Sequence, residues 1–259
     1  MIKVEKNLDD IPSILKKANR EEAFKENIKA KKYIDSKNLY KVVSVQKELY
    51  KIYNKKCAYC EDSLLNTPKH IEHYRPKNGG YYWLAYSWDN LILCCTSCNS
   101  KKNNNFKTKN QQINYDGEKF EDIHNFRDDY DKIEEPFIIN PEKDDILSDI
   151  IFNDEAEISS NNKRVHHTIE EACNLNRDEL VQKRIKIFNN FRQNIEAHYE
   201  TFKRKKDITR FLPDIENFVK DCKKENDFYA FRYFIIHNID KFFEGKLKTI
   251  VERIVKAKL

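Results

Sequence analysis

The sequence predicts an α+β protein, mostly helical, in which a small metal-held core of two strands and a helix stands between N-terminal helices and a C-terminal helical region. Three observations predict it. Only four of the 259 residues are Gly, too few for a sheet-rich chain with many tight reversals, because Gly is the residue that takes positive φ without strain. Two Cys-x-x-Cys pairs, Cys57/Cys60 and Cys95/Cys98, stand 34 residues apart. Apolar side chains recur at helical spacing on both sides of them.

The elements follow in order. Residues 19–35 and 38–54 carry apolar positions such as Leu39, Val42, Val43, Leu49 and Ile52 between lysines, which predicts two helices leading into the first cysteine pair. Between the pairs, PKHIEHYRPKNG predicts a short strand that stops at a turn, YYWLAYSWDN an aromatic connection, and LILCC a second strand. A helix is expected to begin at Thr96 or Ser97. Trp83, Trp88, Tyr81, Tyr82 and Tyr86 are expected to fill the small core around the cysteines, with stacking on nucleic-acid bases as the alternative use of such rings.

From Asp116 to Glu155 there are fifteen acidic and four basic residues, a local excess hidden by the overall charge of +5. That stretch reads as an excursion or linker that repels a phosphate backbone. From about 165 the chain is predicted helical. Leu180, Ile185, Phe188, Phe191, Ile195, Tyr199 and Phe202 share one spacing, and Lys203 to Lys206 close that helix at the negative end of its dipole. Amphipathic segments follow near 213–223, 226–240 and 246–258. The expected division is therefore 1–110, with the core at about 55–110, then an acidic connection at 111–164 and a helical region at 165–259 that serves as a docking surface for a partner.

Composition excludes several functions. Charged residues make up 35 % and hydrophobic ones 39 %, with fourteen Tyr and sixteen Phe, which suits a folded protein with an aromatic core. No window nears the ~18 uncharged apolar residues of a membrane span, and MIKVEKNLDD has no apolar leader, so a cytoplasmic location without a membrane partner is expected. Glycines at 79, 80, 117 and 245 form neither a G-x-G-x-x-G nor a G-x-x-x-x-G-K-[ST] loop. Any nucleotide hydrolysis would fall to another chain.

The cysteine spacing points to zinc. Two thiolates in one C-x-x-C pair grip an ion together, and two pairs complete the tetrahedral shell of structural Zn²⁺. A disulfide scaffold is the weaker reading, given seven cysteines in a chain of this length. Cys94, Cys173 and Cys222 are expected to be bystanders. Inside the cysteine-bounded segment lie His70-Ile71-Glu72-His73 and then Asn90, and just past it Asn99 and Lys102. Imidazole, carboxylate, amide and ammonium are the parts of metal-assisted phosphodiester hydrolysis. A neutral His takes a proton from water, while Mg²⁺ or Mn²⁺ on oxygen ligands polarises the phosphate.

The run Cys57-x-x-Cys60, Ile71-Glu72-His73, Asn90-Leu91 and Cys95-x-x-Cys98-Asn99-x-x-Lys102 resembles the HNH nuclease motif in its zinc-bound treble-clef, ββα-metal form. The resemblance implies that His73 is the general base, that Glu72 and Asn99 are ligands of the catalytic divalent ion, and that Asn90 orders the loop and orients the base. Glu72 stands where many relatives have Asp. His70, which an extended strand puts on the face of Glu72, is a further candidate for the ion or a phosphate. Arg75 and Lys102 are candidates for gripping phosphate, and Lys101, Lys102, Lys107 and Lys109 form a basic track.

A narrower resemblance joins HIEHYRPK, YYWLAYSWDNLILCCTSCNSKKNNNF, FIINPEKDD, IIFNDEAEI and Asn174-Leu175-Asn176-Arg177 with Leu180 and Arg184. These are similar to the HNH nuclease subunit of Septu-type and retron-associated antiphage systems over roughly residues 50–190. The resemblance implies an effector nuclease paired with an ABC-like or AAA-like ATPase subunit. DNA and RNA, transfer RNA included, both offer the phosphodiester it would cut. A stand-alone restriction-type HNH nuclease and a non-catalytic, zinc-stabilised nucleic-acid-binding module are the alternatives.

Overall fold

A computed structural model describes residues 1–34 and 38–259. They form two compact units: Met1–Asp149 with Asn161–Leu175, and Ile150–Ser160 with Asn176–Leu259. Residue 35, the last of the first expected helix, lies outside the described residues.

The first unit opens with α1 (Ala18–Ala30) and α2 (Val43–Ile52), both shorter than expected. Helix α1 stops because Lys31 turns left-handed, at φ 52°, and returns its N–H to the carbonyl of Ile28. Helix α2 starts late because Val42 stays extended, and Asn54 and Lys55 follow its end at positive φ. Its inward residues are Val45 and Leu49, one turn apart.

Strands β1 (Lys69–His73) and β2 (Leu91–Cys95) pair antiparallel, with Lys69 opposite Cys95 and His73 opposite Leu91. Every residue of β2 is buried, which is why LILCC is continuously apolar instead of alternating. Helix α3 (Thr96–Lys102) follows without a break, and the Cys95 sulfur caps it by accepting the Cys98 N–H at 3.4 Å. The order strand, strand, helix agrees with the expectation.

The connection between the strands reverses at Pro76–Gly80. A Cβ on Gly79 would lie 2.6 Å from Pro76 Cγ, and Gly80 sits at φ 112°, so both positions need glycine. Beyond the turn, Tyr81, Trp83, Tyr86 and Trp88 are all buried. These rings are core.

The acidic stretch departs from its expected role. Residues 111–149 are part of the first unit, not a connection. There, α4 (Arg127–Glu134) aims two of its carboxylates, Asp131 and Glu134, inward and leaves Asp128 and Asp129 exposed. Glu134 accepts from Arg75 Nε at 2.8 Å and Tyr81 Oη at 2.6 Å, and Asp131 accepts from Arg75 Nη2 at 2.6 Å. Glu142 accepts from Lys6 Nζ at 2.8 Å and Tyr53 Oη at 2.5 Å. Much of the local negative charge is answered by internal cations. Helix α5 (Lys163–His167) and a π-helical turn (Thr168–Ala172) complete this unit.

In the second unit, β3 (Ile151–Phe152) pairs with β4 (Ile158–Ser159). It continues with α6 (Asp178–Lys205), α7 (Leu212–Asp221), α8 (Tyr229–His237), α9 (Ile239–Phe242) and α10 (Gly245–Lys256). The helical stretch near 165 is α5 with the π-helical turn of the first unit, and the long helix starts at Asp178. It buries Leu180, Phe188, Phe191, Ile195 and Phe202, and carries acids in its first turn and bases in its last, matching its dipole. Phe191 stacks on Phe218 with centroids 4.1 Å apart.

Asn176 exchanges two 2.8 Å hydrogen bonds with the backbone of Ile158, and Arg184 Nε donates to Ala156 O at 2.7 Å. Two residues of the narrower sequence resemblance therefore tie the β3–β4 hairpin to α6. Among the described residues, no helix is long and apolar enough to cross a membrane.

Candidate active site and metal centre

Cys57 and Cys60 lie on the loop after α2, Cys95 ends β2, and Cys98 is in α3. Their four buried sulfurs all fall within 4.8 Å of one another, and none is in a disulfide. The loop is tied to β2 by Ala58 N–H donating to Leu93 O at 2.9 Å, which brings the first pair to the second. Tetrahedral zinc with Zn–S bonds of about 2.3 Å sets its sulfurs about 3.8 Å apart. Cys60 Sγ and Cys95 Sγ are 3.8 Å apart. Hydrogen bonds from Cys57, Cys60 and Cys98 hold the Cys95 thiol well below its ordinary range. The donor set is that of a structural metal site, and zinc fits it.

Two further cysteines abut this site. Burial pushes the Cys94 thiol up to about 11. Cys173, expected to be a bystander, is fully buried beside Cys98 and hydrogen-bonded to it, because the π-helical turn that precedes it packs on α3.

Next to the metal centre, a cleft of about 430 Å³ is lined by His70, Glu72 and His73 of β1 and by Asn99 of α3. His73 is 4 % exposed, and its Nε2 is 3.0 Å from the carbonyl oxygen of Ala85. A carbonyl only accepts, so Nε2 carries the proton and Nδ1 keeps its lone pair. Nδ1 makes no hydrogen bond among the described residues. The Tyr40 ring packs edge-on against the imidazole, with centroids 4.6 Å apart at 77°. Burial first, and then the Lys77 ammonium, lowers the imidazole to about 3, which keeps it neutral at physiological pH.

Glu72 accepts from Lys102 Nζ through Oε1 at 2.8 Å, and its Oε2 accepts no hydrogen bond among the described residues. His70 Nε2 is 3.0 Å from Thr96 Oγ1. Asn90 lies beneath the cleft. Its Oδ1 accepts the Arg75 N–H at 2.7 Å, and its Nδ2 donates to the carbonyls of Arg75 at 3.0 Å and Leu84 at 3.2 Å. Asn90 thus fastens the chain after His73 to the segment that supplies Ala85.

Arg75 and Lys102 differ from expectation. Arg75 is 2 % exposed and committed to Asp131 and Glu134, and although burial acts against its charge, those two carboxylates hold it protonated above its ordinary range. Lys102 is 0 % exposed and bonded to Glu72 and to the carbonyl of His73. Neither side chain lines the cleft, so neither is positioned to grip phosphate. The basic track is reduced as well, since Lys109 pairs with Glu135 at 2.8 Å.

Tyr40, Lys41 and Lys77 also line the cleft, and sequence reasoning missed all three. Lys77 closes the quoted run HIEHYRPK and was within reach of it. Tyr40 and Lys41 come from the segment ahead of α2, where no motif signals them.

Comparison with known proteins adds to this geometry. Residues 57–105, which contain both cysteine pairs, β1, β2 and α3, match the family model described as HNH endonuclease. A Septu protein PtuB of Bacillus mycoides (strain KBAB4) is 33 % identical over 213 residues, covering 72 % of this chain and 67 % of that one. The chain belongs to the Septu PtuB family. A Septu protein PtuB of Bacillus thuringiensis is 38 % identical over 68 residues, 26 % of each chain. Septu protein PtuA of Bacillus mycoides (strain KBAB4) is 26 % identical over 161 residues, which are 57 % of this chain but 21 % of PtuA. No solved structure matches. The family membership agrees with the narrower sequence resemblance, and the HNH match covers the β1 and α3 residues of the cleft but not Tyr40 and Lys41.

Proposed function

We propose that this chain is a metal-dependent HNH endonuclease that hydrolyses phosphodiester bonds of DNA or RNA, acting as the effector of an antiphage defence complex with an ATPase-type partner. The observation that carries this reading is His73, whose Nε2 is committed to Ala85 O so that Nδ1 is its one basic atom, in a cleft shared with Glu72 and Asn99. Order of elements and cysteine geometry support a treble-clef, ββα-metal core around structural Zn²⁺.

In this reading His73 Nδ1 takes the proton of the attacking water, and the Ala85 carbonyl, bonded to the opposite nitrogen, steadies the imidazolium that forms. Lys102 fixes one oxygen of Glu72 and leaves Oε2, with the Asn99 amide oxygen, as hard donors suited to Mg²⁺ or Mn²⁺. A divalent ion bound there supplies polarisation of the phosphate and stabilisation of the leaving 3′ oxygen. His70, held to Thr96, completes the polar wall. The products are 5′-phosphate and 3′-hydroxyl ends.

Similarity to both a PtuB and a PtuA supports work within a two-protein system. This sequence contains no phosphate-binding loop, which is in keeping with nucleotide chemistry on the partner. Its docking surface is proposed on the aromatic helices of the second unit. The test is cleavage of plasmid DNA and of total RNA in Mg²⁺ or Mn²⁺ by the chain co-purified with its partner, comparing native protein with His73→Ala. Metal-dependent cutting that the variant loses is expected. Equal cutting by both proteins, or none by either, would overturn the reading, and full activity of the chain alone would remove the partner from it.

A further inference from the structure

In the second unit, the end of α6 and the start of α10 meet around one ring. Phe202 is 6 % exposed, and the Nζ atoms of Lys206 and Lys246 lie 5.6 and 5.4 Å from its centroid. Tyr199, about one turn back, stacks on Phe202 with centroids 6.1 Å apart and carries Lys203 Nζ at 5.0 Å. Arg204 and Lys205 are exposed on the same last turn, and Arg210 stands next to Phe211, whose ring is 6.2 Å from Phe202. Successive helix residues are turned about 100° from one another, so Lys203, Arg204 and Lys205 spread around the helix end.

Carboxylates answer only part of this charge. Residues 199–211 and 244–247 hold six cations and three carboxylates, Glu200, Asp207 and Glu244. Glu200 holds Lys203 at 2.6 Å, and Asp207 is 3.7 Å from Arg210 and interacts with Lys205 from farther off. Arg204, Lys206 and Lys246 make no ion pair among the described residues. Contact with an aromatic face steadies an ammonium without neutralising it.

The bases that end α6 also suit its dipole, but Lys246 has no such use. It is the second residue of α10, at the positive end of that helix, in a first turn without an acid. Its charge is opposed both by the helix and by Lys206 at the same ring, and an anion laid over them relieves both. Composition decides which anion. Four of the six cations are Lys, a residue depleted from protein–protein interfaces, whereas Lys and Arg together are what phosphate backbones take.

We propose that this end of the second unit is a nucleic-acid-binding surface, made of residues outside the cleft, on which Arg204, Lys206 and Lys246 contact backbone phosphates irrespective of base sequence. Binding there requires no cleavage, so the surface does not rest on the nuclease reading.

The test uses the full chain carrying His73→Ala, so that substrate survives, and follows the anisotropy of fluorescein-labelled duplex DNA and single-stranded RNA across a NaCl series. Adding Arg204→Gln or Lys246→Gln is expected to reduce the steepness of log K against log salt by about 0.9 on the duplex and about 0.7 on the single strand, and the pair together by about twice as much. Lys246→Arg keeps the slope. Lys220→Gln, at an exposed lysine near the end of α7 remote from Phe211, leaves it unchanged. Lys246→Gln is also expected to melt no lower than the parent, and a lower melting temperature would make Lys246 structural and overturn the argument. Slopes equal to the parent in the double variant, an equal change in Lys220→Gln, or no binding by the parent would overturn the proposal as well. Unmoved slopes with lost co-purification of the partner would give the surface to an acidic protein instead.

Discussion

The Lys102 ammonium lies 2.8 Å from Glu72 Oε1 and 2.8 Å from the carbonyl oxygen of His73, which latches α3 to the last two residues of β1. Removing one partner of such a buried pair leaves a charge without compensation. Lys102→Met is therefore expected to destabilise the chain by about 3–5 kcal/mol in urea denaturation. A loss below about 1 kcal/mol, the range of an exposed pair, would contradict the burial described.

Asn90 answers three backbone groups at once. Asn90→Ala strands them in a dry interior, at about 1–3 kcal/mol for each group that water cannot reach. Thermal melting should fall markedly, while the metal content of the folded protein stays at its native level. A variant with native melting behaviour would refute the fastening role.

The four-cysteine centre predicts one zinc per chain by elemental analysis. Cys57→Ser or Cys98→Ser should lower that stoichiometry, and chelation should expose the amides of α3 and of the Cys57–Cys60 loop in hydrogen exchange. Unchanged protection after complete metal removal would count against a structural ion.

His124 predicts how stability responds to pH. Its Nδ1 accepts the Trp88 N–H at 3.0 Å, and burial first, then Lys16, lowers the imidazole to about 4. The unfolded chain titrates near 6.5, so between the two values it binds more protons than the folded one, and stability falls as pH falls. The contribution is complete above about 6.5 and amounts to about 3 kcal/mol lost by pH 4. Urea midpoints at pH 7.5 and 5 should separate in the native protein and separate less in His124→Gln. Equal separation in both would exclude His124 as the source.

What the sequence made legible follows from what is local. LILCC, two C-x-x-C pairs and a polar run after Cys98 lie within one short stretch, so the strands, the helix and the sulfur cluster could be read from neighbours alone. Glu72, His73 and Asn99 were legible for the same reason. Arg75 and Lys102 were read as candidates for gripping phosphate because their counter-charges are distant in sequence: Glu134 is 59 residues from Arg75, and Glu72 is 30 from Lys102. The same blindness made 116–155 look like a linker, since composition records the sign of a charge and not the partner that meets it. Tyr40 reaches His73 through a turn pinned by Arg20, a relation that no spacing rule contains.

The chain passes between its two units three times, at 149–150, 160–161 and 175–176. On a ribosome, therefore, the first unit cannot finish before the β3–β4 hairpin of the second has already emerged. Cys173 and the π-helical turn that backs the metal centre arrive after that hairpin. A product that ends just after the HNH segment would lack Cys173 and the π-helical turn beside Cys98, and is expected to hold its metal less firmly than the full chain.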